Sequence, residues 1–247
     1  MKTGFEKLDK IIEVNKGDLI IVASRPSMGK TSLVCNMVNY VLTKEKEAVL
    51  FFELEESIEK IEERLRLVNE NIETKDLPIY ILDDYRCRHM CSKSEILKKE
   101  KNIKLIIIDY FQLIEIDKGV LSNREYECIE ILRKLKLLAK ELNIPIIVTS
   151  TVSSKCERDK GRNDKRPLME DIVSPKIGID NYVDKVLFMY RDSYYNKNNK
   201  SNLTEIIVAK NENGKTGTVK LEWIPEKLMF INTTVTEKEM SNNEESN

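Results

Sequence analysis

One histidine, His89, stands in 247 residues, and the formal charge is -1, with 41 Lys plus Arg against 42 Asp plus Glu. That balance removes the broad basic field of a protein that coats nucleic acid, so any DNA contact must be local. With a single histidine and no serine elbow there is no Ser–His or Cys–His relay, and ester or peptide hydrolysis has no support. Apolar runs stay well short of a membrane span. Residues 1–16 are charged throughout and lack the apolar core of a signal peptide. The expectation is a cytoplasmic protein with no membrane contact. Five cysteines (Cys35, Cys87, Cys91, Cys128, Cys156) are odd in number and spread out, which fits reduced thiols better than a disulfide framework. Cys35 and Cys128 fall within helical patterns and read as core. Cys87, His89 and Cys91 are zinc-ligand types, but they crowd together and no second pair follows, so a structural zinc site is disfavoured. No internal repeat is evident.

What is present is one sizeable α/β core. At 41% hydrophobic and 34% charged, the chain supports a single domain over residues 1–235, with a frayed, apolar-poor tail at 236–247. Its centre is the stretch from Asp18 to Thr31. Leu19 to Ala23 is an unbroken apolar run, the mark of a parallel strand covered on both faces. A helical pattern starts just after Thr31, with Leu33, Val34, Met37, Val38 and Val41 on one side. Between them lies a Walker A loop, in which Ser24 stands where Gly or Ala is usual. Its backbone N–H groups and the positive helix end suit a polyphosphate, Lys30 adds a cation for the β/γ-phosphates, and the Thr31 hydroxyl is placed for Mg²⁺. The nucleotide-binding set is therefore Ser27, Met28, Gly29, Lys30, Thr31 and Ser32; an ordinary strand-to-helix turn is the alternative.

Around this centre the chain alternates strands and helices. Residues 3–16 are an edge-packing lead-in with Phe5, Leu8, Ile11 and Ile12 at near-helical spacing. Strands are expected at Ala48–Phe52, Pro78–Leu82, Lys104–Asp109 and Ile144–Thr149. Ser57 opens a charged helix with Ile58, Ile61, Leu65 and Val68 on one face. Ser92 with Glu95 reads as the capping box of a short helix, and Ser122 with Glu125 as that of a long one ending at Asn143, with Ile129, Leu132, Leu135, Ala139 and Leu142 buried. Residues 152–184 show little periodicity, with six basic and three acidic residues between Lys155 and Arg166, and read as a long functional loop region. Lys185–Tyr190, Glu205–Lys210 and Thr218–Trp223 are further strands, the last two joined through Asn213-Gly214, so the sheet ends antiparallel.

Leu105 to Asp109 has the form of a Walker B strand, an apolar run that delivers one carboxylate to the sheet edge where a Mg²⁺-bound water would sit. The next residue is Tyr110, so a base for the attacking water must come from elsewhere. Glu55, just past the second strand, is the candidate; a helix-start charge favoured by the macrodipole is an equal alternative.

Several stretches together resemble the C-terminal motor domain of DnaB-type replicative helicases, collinearly over about residues 3–231. They are Thr3-Gly4-Phe5 with Leu8-Asp9, Ala23 to Thr31, Phe51 to Ser57, Asp109 to Leu113, Leu137 to Pro145, Asp164 to Pro167, Tyr190-Arg191-Asp192 and Gly214 to Val219. The resemblance implies a RecA-like fold, ATP and Mg²⁺ as cofactors, and single-stranded DNA as partner. By it Lys30 and Thr31 bind phosphate and Mg²⁺, Glu55 is the catalytic base, Asp109 takes the Walker B role, and Lys210 lies on a hairpin reaching a neighbouring subunit's nucleotide. It also implies a homo-oligomer, a hexameric ring, or else a monomer when isolated.

The departures are specific. A γ-phosphate-sensing Gln is replaced in Ser150-Thr151. The DNA-gripping Arg-Glu-Ser-Gly loop is replaced by Ile172 to Lys176, which leaves Lys176, with Lys165 and Arg166, as the DNA-contact set. Glu212 stands where an arginine finger belongs. The segment from Ser57 to Pro78 is shorter than usual, and no collar segment precedes the motor, so the resemblance implies a missing primase dock unless the chain is a fragment. Two functions follow: an ATP-driven helicase motor, or a degenerate nucleotide-binding paralogue with slow hydrolysis that acts as an assembly or regulatory module. A recombinase- or clock-type relative explains the fold but less of the loop.

Overall fold

The structure is a computed structural model that describes residues 1–69, 74–116, 123–158, 162–173, 176–196 and 198–233. The apolar run after Asp18 becomes β1 (Leu19–Ser24), buried at every position. Its side chains alternate: Leu19, Ile21 and Ala23 enter one core, Ile20 and Val22 the other. A strand with apolar side chains on both faces is stable only where helices cover both, so β1 belongs in the middle of the sheet. The lead-in forms α1 (Glu6–Asp9) and sets Phe5, Leu8 and Ile12 into the second core. After β1 comes α2 (Lys30–Tyr40), extended by a π-helical turn at Val41–Glu45.

The chain continues as β2 (Val49–Glu53), α3 (Ile58–Val68), β3 (Ile79–Leu82), α4 (Cys87–Lys101), β4 (Leu105–Asp109), α5 (Arg124–Leu142) and β5 (Ile146–Thr151). It then runs through α6 (Lys155–Arg158), α7 (Lys176–Tyr182), β6 (Lys185–Tyr190), α8 (Asp192–Tyr195), β7 (Leu203–Asn211), β8 (Gly217–Ile224) and β9 (Met229–Asn232). Among the described residues the strands form one sheet of order β3-β2-β4-β5-β1-β6-β7-β8-β9. β3 to β6 in that order are parallel, and β7, β8 and β9 add antiparallel at the far end. Cys87 and Met90 of α4, Ile131 and Leu135 of α5 and Ile179 of α7 cover one face. Leu8, Leu33 and Met37, with Ile61 and Leu65 of α3, cover the other.

A charge network pins β1 at the end away from the loop. Lys185 Nζ, 2% exposed as a residue, donates to Asp18 Oδ2 at 2.6 Å. Lys136 Nζ reaches both oxygens of Asp184 at 2.6 Å, and Asp184 Oδ2 accepts the Leu19 N–H at 2.6 Å. Buried charges persist only when paired and hydrogen-bonded, and these pairs join the starts of β1 and β6.

Four local expectations are corrected. Ser92 does not cap a short helix: α4 already begins at Cys87, and Ser92 Oγ donates to the Arg88 carbonyl inside it. The buried face of Cys87, Met90 and Ser94 extends that helix, and packing outweighs a weak local signal. The stripe of α5 is turned slightly, so that Cys128, Ile131 and Leu138 are buried while Ile129 and Leu142 are half-buried. Its cap is Asn123, whose side chain accepts the Glu125 N–H at 2.8 Å; Ser122 lies outside the described residues. Residues 152–184 are not one loop, because α6, a 3₁₀ turn at Met169–Asp171 and α7 lie within them. The short β9 has no counterpart among the strands expected from sequence. The tail expected at 236–247 lies outside the described residues.

Candidate nucleotide and metal site

The loop between β1 and α2 opens onto a cleft of about 520 Å³ at the C-terminal end of the parallel strands, where open α/β sheets place their ligands. Ser27 has φ 63 and Gly29 φ 96, so the backbone turns back on itself before Lys30 starts α2. Gly29 is required twice over: its φ suits a residue without Cβ, and a Cβ there would meet the Phe230 ring at 3.0 Å. Ser27, Gly29, Lys30, Thr31 and Ser32 line the cleft. Met28 instead turns its side chain into the core, 1% exposed, leaving its backbone as the part of it able to serve a ligand.

Asp109, 2% exposed at the end of β4, forms the floor. Its Oδ2 accepts the Thr31 hydroxyl at 2.6 Å, and its Oδ1 accepts the Thr149 hydroxyl. Burial raises its pKa, opposed by the bonds from Thr149 and Thr31 and by the charge of Lys30. Burial lowers the pKa of Lys30, opposed by Asp109 and Glu55. Each thus pulls the other toward its charged form against the opposing effect of burial.

Glu55 lines the cleft from the turn after β2 and is exposed. Glu56 beside it is engaged: Arg64 Nη2 donates to both of its oxygens at 2.9 Å. Thr151, which stands where a γ-phosphate-sensing Gln is expected, lines the cleft, as do Arg64, Tyr110, Trp223 and Leu228, none of which sequence reasoning assigns to it. Trp223 and Leu228 arrive through β8 and the turn into β9, whose Phe230 packs against Trp223 at 4.7 Å and donates its N–H to Asn36 Oδ1. The lone tryptophan in an alternating strand is the available signal; Arg64 leaves none. Arg191 lies 5.1 Å from the Trp223 ring centre, and its Nη2 is buried without a hydrogen-bond partner among the described residues. A Cβ on Gly29 would stand 3.9 Å from that atom.

A buried acid with a hydroxyl on it, a lysine beside it and an orphaned guanidinium donor near the loop fit a divalent cation carrying a polyphosphate. Thr31 and Asp109 would hold the cation, and Lys30 with the N–H groups from Ser27 to Ser32 would hold the phosphates.

The family model for the DnaB-like helicase C-terminal domain matches residues 1–78 and 62–232. The chain belongs to that family. It is 38% identical to "Replicative DNA helicase DnaB" of Geobacillus stearothermophilus over 257 aligned residues, which cover 93% of this chain and 56% of that protein. It is 37% identical to "Replicative DNA helicase DnaC" of Bacillus subtilis (strain 168), with the same shares. The chain thus spans about half the length of these curated relatives. Among solved structures, one described as an ATPase domain superposes with TM-score 0.85 at 28% identity, covering 94% of this chain and 90% of that one. A DnaB-like replicative helicase, solved in a study of its interactions with primase, gives TM-score 0.82 at 28% identity and covers 94% and 61%. The fold is therefore RecA-like, as the motif order implies.

Outside the cleft, the remaining expected residues are spread out. Lys210 Nζ donates to the carbonyls of Ile179 and Asp180 at 3.1 and 3.0 Å, closing the end of α7. Lys165 Nζ donates to the carbonyls of Glu157 and Arg162. Arg166 forms a two-point pair with Glu205 at 2.6 Å and lies over the Tyr190 ring. Lys176 starts α7 and is exposed. Gln112, to which the sequence assigns no role of its own, donates to Ser150 Oγ and to the Val173 carbonyl at 2.9 Å each.

Proposed function

We propose that residues 1–235 act as one ATPase domain, the motor of a replicative DNA helicase that binds and hydrolyses ATP with Mg²⁺ and acts on single-stranded DNA as a ring of copies. The observation that carries this reading is the 2.6 Å bond from Thr31 to Asp109, which joins the phosphate loop to the acidic strand end at the floor of the cleft. Lys30 neutralises the β/γ-phosphates, and the N–H groups of Ser27, Met28, Gly29, Thr31 and Ser32 cradle them. Thr31 and Asp109 would hold Mg²⁺, which would neutralise charge on the phosphate oxygens. Glu55, exposed at the lip, accepts the proton of the attacking water. Lys176, with Lys165 and Arg166 shaping the segment before it, faces the DNA, and Lys210 serves the nucleotide of a neighbouring copy.

A second reading, a slowly hydrolysing regulatory module, draws support from the β7–β8 turn. There Glu212 is exposed and Lys210 is occupied by its own chain. Steady-state ATP hydrolysis with and without single-stranded DNA, together with sedimentation in the presence of nucleotide, separates the two. Stimulation by DNA and nucleotide-dependent assembly support the motor; basal turnover indifferent to DNA supports the module.

A further inference from the structure

Glu53 is a buried acid beside the cleft that this mechanism leaves unused. It is the last residue of β2, 1% exposed, and lies in register with Asp109 on β4. Its Oε1 accepts two successive backbone N–H groups, from Glu55 at 2.9 Å and Glu56 at 2.7 Å. Its Oε2 is buried with no hydrogen-bond partner among the described residues. Burial pushes its carboxyl up to about 7, against the pull of the two N–H bonds. A carboxylate in this place is costly, since a buried charge needs compensation and one of its oxygens receives none. What it gives in return is the shape of the turn. One oxygen gripping two consecutive N–H groups restricts the backbone from Leu54 to Glu56, and so aims the Cα–Cβ bond of Glu55.

The neighbouring anchors isolate that effect. Leu54 N–H donates to the Asp109 carbonyl at 2.8 Å, tying the turn to β4. The Glu56 carboxylate is taken by Arg64 on α3. Of the acids at 53, 55 and 56, only Glu55 is exposed, and its direction depends on the bond its own N–H makes to Glu53. We propose that Glu53 is a positioning residue that holds Glu55 toward the attacking water by clamping the turn after β2. The inference rests on the reading of Glu55 as the base.

The test measures MgATP turnover and the affinity of a fluorescent ATP analogue for Glu53→Ala, Glu53→Asp and Glu53→Gln, each in the wild-type and Glu55→Gln backgrounds. Glu53→Ala removes the acceptor, and Glu53→Asp is one methylene too short to reach both N–H groups. Each should lower kcat by about ten- to a hundredfold, the scale on which small misplacements act, with analogue affinity unchanged. Glu53→Gln keeps a carbonyl oxygen for both bonds and should restore most of that loss. In the Glu55→Gln background the Glu53 substitutions should have no further effect, because the residue they aim is already disabled. Full kcat in Glu53→Ala, an equal loss in the Glu55→Gln background, or a loss confined to nucleotide affinity overturns the positioning role. Full turnover in Glu55→Gln alone overturns the base assignment instead, and a wild-type chain without turnover overturns both. Should Glu53→Ala fail to fold by circular dichroism, Glu53→Asp decides.

Discussion

Replacing Asp109 by Asn should move stability and function in opposite directions. The carboxylate is 2% exposed, and its pKa is raised by burial despite hydroxyl bonds from Thr149 and Thr31 and the nearby Lys30. Its ionised form is therefore a net cost to the fold. Asn keeps the shape and one carbonyl oxygen. The reorganised hydrogen bond costs about 0.5–1.5 kcal/mol, whereas relieving a buried ion is worth several kcal/mol in effective terms. The Asn variant should melt higher at pH 7. The sign with pH follows: a group whose folded pKa is raised stabilises fully below its unfolded value, here 3.8, and loses that contribution as pH rises through the folded pKa. The gain from Asn should thus vanish toward pH 3.8 and grow as the pH rises through the raised folded pKa. With ligand the order reverses. A nucleotide at a hundred times its Kd stabilises by about 2.7 kcal/mol, which is roughly 5–10 °C of Tm for a domain of this size. The Mg²⁺-dependent part of that shift should be missing in the variant. Thermal melts with a non-hydrolysable ATP analogue, in Mg²⁺ and in EDTA, read both effects. A less stable nucleotide-free variant at pH 7, or an undiminished Mg²⁺-dependent shift, would refute the reasoning.

Other consequences are as direct. Lys185→Met strands the buried Asp18 carboxylate and should lower stability by about 3–5 kcal/mol in urea titration, while Asp18→Asn/Lys185→Met loses much less. Lys176→Ala alone should account for most of the loss of single-strand binding seen on replacing Lys176, Lys165 and Arg166 together, because the other two cations already serve their own chain; binding across a salt series should show the slope falling by about 0.7. Glu212→Arg should raise turnover only at protein concentrations where copies associate, since a finger acts on a neighbour's nucleotide; trans-acting fingers are worth about 10³ to 10⁵ in GTPases. A concentration series that shows no gain excludes that position.

The central architecture is legible because its signals are strong and local. An apolar run buried on both faces, a glycine-lysine-threonine turn and a second apolar run ending in Asp109 reinforce one another, and β6 spans the expected residues, Lys185–Tyr190. The misreadings share a cause: they depend on contacts distant in sequence. The half-polar α7 is held by packing on α5, where Gly178 sits against Leu132 and Ile129. The four-residue β9 exists because β8 pairs with it and Phe230 finds Gly29 and Asn36. The same holds at the site. Lys30, Thr31 and Asp109 announce themselves by motif and Glu55 through the family resemblance, but Arg64 reaches the cleft only through folding. In sequence Glu53 is one member of an acidic cluster, and only its two N–H bonds set it apart. Lys165 and Arg166 belong to a charged segment, and no pattern discloses that Lys165 bonds backbone carbonyls or that Arg166 pairs with Glu205.

The most direct test of the ATP-binding reading is calorimetric titration of MgATP into the wild-type chain and into Lys30→Ala. The wild type should bind one nucleotide per chain with Mg²⁺-dependent affinity, and the variant should show no measurable heat, because it removes the cation that the loop aims at the β/γ-phosphates. Equal affinity in the two would contradict the assignment of this cleft as the nucleotide site.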